Sequence, residues 1–111
     1  MKKSNIFAFI ELSKLVAELK SIQQPQELKE KLKSQSAYFN ILESRYFSDP
    51  LVAEWQEILK LVKRNEAVVD QQGRVVVNAV TNSLDHLSLQ ECEGLSKQIV
   101  AIFEKVRQEF Q

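Results

Sequence analysis

At 111 residues, with 44% hydrophobic and 27% charged side chains, the chain has enough apolar material for one core and lies outside the composition of disordered chains. Fifteen basic against fifteen acidic residues leave no overall field to gather nucleic acid or an anionic membrane surface, so either partner would need a local patch. The one cysteine, Cys92, excludes an intramolecular disulfide and fits a reducing compartment, with the cytoplasm as the expected location.

Met1-Lys2-Lys3 imitates the start of a signal peptide, but the apolar run over residues 6–10 stops at Glu11 with no small-residue cleavage site after it. No stretch approaches the roughly 18 apolar residues of a membrane span. The run therefore reads as the beginning of a first helix, with Ser4 as its N-cap and Ala8, Leu12, Leu15, Leu19 and Ile22 in one stripe. Pro25 opens a second helix, in which Leu28, Leu32, Phe39, Leu42 and Tyr46 keep the spacing and Gln35 is the polar exception.

Ser48-Asp49-Pro50 marks a boundary, because Asp49 can cap, Pro50 fits a first helical position, and a residue before proline avoids helical geometry. Leu51, Trp55, Ile58, Val62 and Val69 then predict a long third helix that Asn65 interrupts. Residues 68–87 support two structures. Either Gly73 ends the third helix and Val76, Val80, Leu84 and Leu87 form a short fourth one, or two valine-rich strands flank a glycine turn. Ser88-Leu89-Gln90-Glu91 matches the capping box and starts a last helix carrying Cys92, Leu95, Ile99, Ile102 and Val106.

The expected fold class is all-α, a bundle of four or five helices forming a single helical domain over residues 1–111. The alternative is a mostly α fold with one small β-hairpin around residues 67–78.

Chemistry finds little support. His86 sits beside Asp85 and ahead of Glu91, Cys92 and Glu93, but neighbours on a helix point about 100° apart, and the helical period turns Cys92 inward. Two glycines, Gly73 and Gly94, do not make a phosphate-cradling loop. No enzyme activity, metal or cofactor is expected.

What remains is apolar surplus. Residues 6–10 are hydrophobic around the whole helix, more than a core stripe requires, and aromatics gather near the sharp turn before Pro50. The expectation is a small non-catalytic protein, an adaptor, inhibitor or regulator, that binds another protein or itself as a homodimer. Phe7, Phe9, Tyr38, Tyr46 and Trp55 are its candidate contact residues. If residues 68–77 form a hairpin, its edge offers a second route by strand addition. A lesser reading is a nucleic-acid-binding regulator using Lys29, Lys31, Lys33 and Arg45, with Lys60, Lys63 and Arg64 at the end of the third helix. The length and the run of capped helices also suit the small helical immunity proteins of bacteria, an analogy of architecture alone.

Overall fold

The computed structural model describes residues 3–110, and side chains from Ile6 onward. Its α-helices are α1 (Lys3–Lys20), α2 (Leu28–Ser34), α3 (Tyr38–Ile41), α4 (Asp49–Val62), α5 (Ala79–Asp85) and α6 (Leu89–Gln108). Strands β1 (Val68–Val69) and β2 (Val75–Val77) form an antiparallel hairpin between α4 and α5. The fold is thus mostly α with a small hairpin.

The 20-residue α6 organises the body. Ser88 caps it: its hydroxyl accepts from the Glu91 N–H at 3.1 Å, and the Glu91 carboxylate accepts from the Ser88 N–H at 2.9 Å. Both α1 and α4 run antiparallel to it. Phe9, early in α1, packs on Phe103 and Phe110 late in α6, with ring centroids 5.8 and 4.9 Å away. Arg64, just past α4, pairs with Glu91 at 3.5 Å, Glu54 pairs with Lys105, and Ser48 at the start of α4 donates to Glu109. The thinnest dimension is 19 Å, which fits two layers of helices about 10 Å across.

Every helix contributes to one apolar cluster, from Ala8, Leu12, Leu15 and Leu19 of α1 to Cys92, Leu95, Ile99, Ile102 and Val106 of α6. These are the stripes that the periodicity predicts. Trp55 is the largest buried side chain. It stacks between Phe39, at 6.2 Å and 15°, and Phe47, at 5.0 Å and 25°, and its indole N–H donates to the buried Leu42 carbonyl at 2.6 Å.

Four expectations need correction. Ser4 lies inside α1, which is already helical at Lys3, and its side chain lies outside the described residues. The second helix is not continuous. It breaks into a 3-10 turn at Pro25–Glu27, α2, α3 and a second 3-10 turn at Ser44–Tyr46. Gln35 leaves helical geometry at φ −103°, ψ 17°, and Leu42 turns extended at φ −85°, ψ 94°. That path buries Phe47, five residues after Leu42, together with Phe39 and Leu42.

The third helix ends at Val62 and does not reach Val69. Beyond it, the backbone N–H and C=O of Asn65 turn to the hydroxyl of Ser83, at 2.8 and 3.2 Å. Finally, Gly73 closes a hairpin loop and not a helix. Val80 and Leu84 keep the helical reading in α5, whereas Val76 belongs to β2.

Candidate functional site

The hairpin is built on a polar turn. Asp70 accepts from the Gly73 N–H at 3.0 Å and donates its own N–H to the Arg74 carbonyl at 2.9 Å. Gly73 takes φ +80°, the left-handed conformation that this three-residue loop needs and a Cβ would resist. Asp70 Oδ1 accepts two further N–H groups, from Gln72 and Arg74, both at 2.9 Å. At the base, Ser83 holds Asn65, and Asn82 donates to the Glu66 carbonyl at 2.8 Å. Ser83 is the buried polar residue of the described chain. The hairpin is therefore fixed at both ends by polar bonds.

Its arms are apolar and uncovered. Val68, Val69, Val75 and Val76 are 42, 54, 61 and 59% exposed. Val69 faces Val75 and Val68 faces Val77, which leaves Val76 as an extra residue in a bulge. The two strands pack mainly on each other. A lone two-stranded hairpin is marginal in water, and hydrophobic surface of this kind, rimmed by polar residues, marks contact with other molecules.

The aromatic candidates fare differently. Trp55 is fully buried in the Phe39–Phe47 stack, so it belongs to the core. Phe7 is half-buried against Tyr46, with centroids 4.8 Å apart, and the Arg45 guanidinium lies 4.5 Å from the Tyr46 ring centre. Phe9 is half-buried on Phe103 and Phe110, and Tyr38 is half-buried on the core. The surplus of residues 6–10 is thus largely used inside the chain. Ile6 and Ile10, four residues apart on the outer side of α1, stay exposed.

The five aromatics do not form one surface. Phe7, Tyr46 and Phe9 lie at the end of the body where α1 and α4 begin and α6 finishes, whereas the hairpin follows the other end of α4. Fourteen helical residues separate the two ends, about 21 Å.

Most of the basic candidates are already engaged. Lys33 pairs with Asp85 at 2.9 Å, Lys29 donates to the Asp85 carbonyl at 3.0 Å, and Lys31 pairs with Glu18 at 3.2 Å. Arg45 pairs with Glu43, Lys60 with Glu57, and Arg64 with Glu91. A phosphate would have to compete with a carboxylate at each pair.

Asp85 and His86 serve separate structural ends. The hydrogen bond from Lys33 holds the Asp85 carboxyl below its ordinary range, while His86 Nδ1 meets the Asn82 carbonyl at 2.8 Å. Burial pushes the Cys92 thiol up, away from the reactive thiolate. Among the described residues, no three His, Cys, Asp or Glu side chains gather to hold a metal ion, and no helix is long and apolar enough to cross a membrane. A groove of about 300 Å³ between α4 and α6 has Ile58 and Ala101 among its lining residues, and Glu54 and Glu57 beside them are paired to Lys105 and Lys60.

The valines were absent from the sequence-derived contact residues, although their signal was present as a β-branched run around a turn glycine. Compared with models of protein families, with curated proteins and with solved structures, the chain matches none.

Proposed function

We propose that the protein acts without chemistry, by binding another protein chain through the valine-lined hairpin of β1 and β2. The observation that carries this reading is the exposure of Val68, Val69, Val75 and Val76 on a hairpin whose turn and base are both fixed. A body that buries all its core stripes has no folding need for these side chains in water. A bound chain that covers them removes apolar surface at roughly 25 cal/mol per Å².

The test is site-specific photocrosslinking in the cells that make the protein. A photoreactive residue replacing Val76 is expected to give discrete protein adducts, and one replacing Ile10 is expected to give none. Adducts at Ile10 with none at Val76 would move the binding surface to α1 and overturn the reading.

A further inference from the structure

We draw no further inference here: the strongest candidate, the uncovered face of the β1–β2 hairpin that carries Val69, Val75 and Val76, belongs to the surface already described, and nothing in the structure shows what covers it.

Discussion

The hydroxyl of Ser83 serves both backbone groups of Asn65, accepting from its N–H at 2.8 Å and donating to its carbonyl at 3.2 Å. One side chain on α5 thereby ends the run of α4 and sets where the hairpin leaves the body. Ser83→Ala strands two backbone groups at a partly buried site. It is expected to cost about 1–3 kcal/mol in denaturant unfolding. Amide exchange in residues 65–77 should accelerate more than in α6, and uniform acceleration would deny Ser83 its local role.

Trp55 joins two broken segments of chain to α4. Trp55→Phe keeps a ring between Phe39 and Phe47 but leaves the buried Leu42 carbonyl without its donor. A loss of about 2 kcal/mol or more is expected. Unchanged stability would mean that the indole hydrogen bond contributes nothing net.

Cys92 is buried and its thiol is raised by desolvation. Maleimide labelling of the native protein near neutral pH should be slow, and should become fast in denaturant. Fast native labelling would place the thiol in solvent and undo its assignment to the core.

The capping box carries a pH signature. The Ser88 N–H lowers the pKa of the Glu91 carboxyl from its ordinary 4.5, with Arg64 adding to the effect. A folded pKa below the unfolded one stabilises the protein above the unfolded value, and that contribution is lost as pH falls through the folded value. Wild type should therefore melt above Glu91→Gln at neutral pH, with the gap closing as pH drops below about 4.5. A gap independent of pH would assign the difference to shape instead of charge.

Helix stripes were legible wherever periodicity and capping agreed. Ser88 and Glu91 announce α6, and Leu51, Trp55, Ile58 and Val62 all reach the core. The path from Leu32 to Phe47 was not legible, since Phe39 and Leu42 keep helical spacing while the backbone bends at Gln35 and Leu42 to satisfy packing on Trp55. Local spacing carries no record of such tertiary demand. The aromatics misled for a related reason: Phe7 and Phe9 point away from the α1 core stripe, yet Tyr46, Phe103 and Phe110 come from distant segments to meet them. The hairpin was written in its valines and Gly73, but their exposure depended on no helix packing across them.

The claim that Val69, Val75 and Val76 serve binding and not folding is tested most directly by thermal and denaturant unfolding of Val69→Thr/Val75→Thr/Val76→Thr. Threonine keeps the β-branch and exchanges one methyl of each valine for a hydroxyl. At positions open to solvent, the three changes together should move stability by no more than about 1 kcal/mol, and Val69→Thr/Val75→Thr alone should abolish the adducts from a photoreactive residue at Val76. A loss of several kcal/mol would show that these valines hold the fold together and would contradict their role as a binding surface.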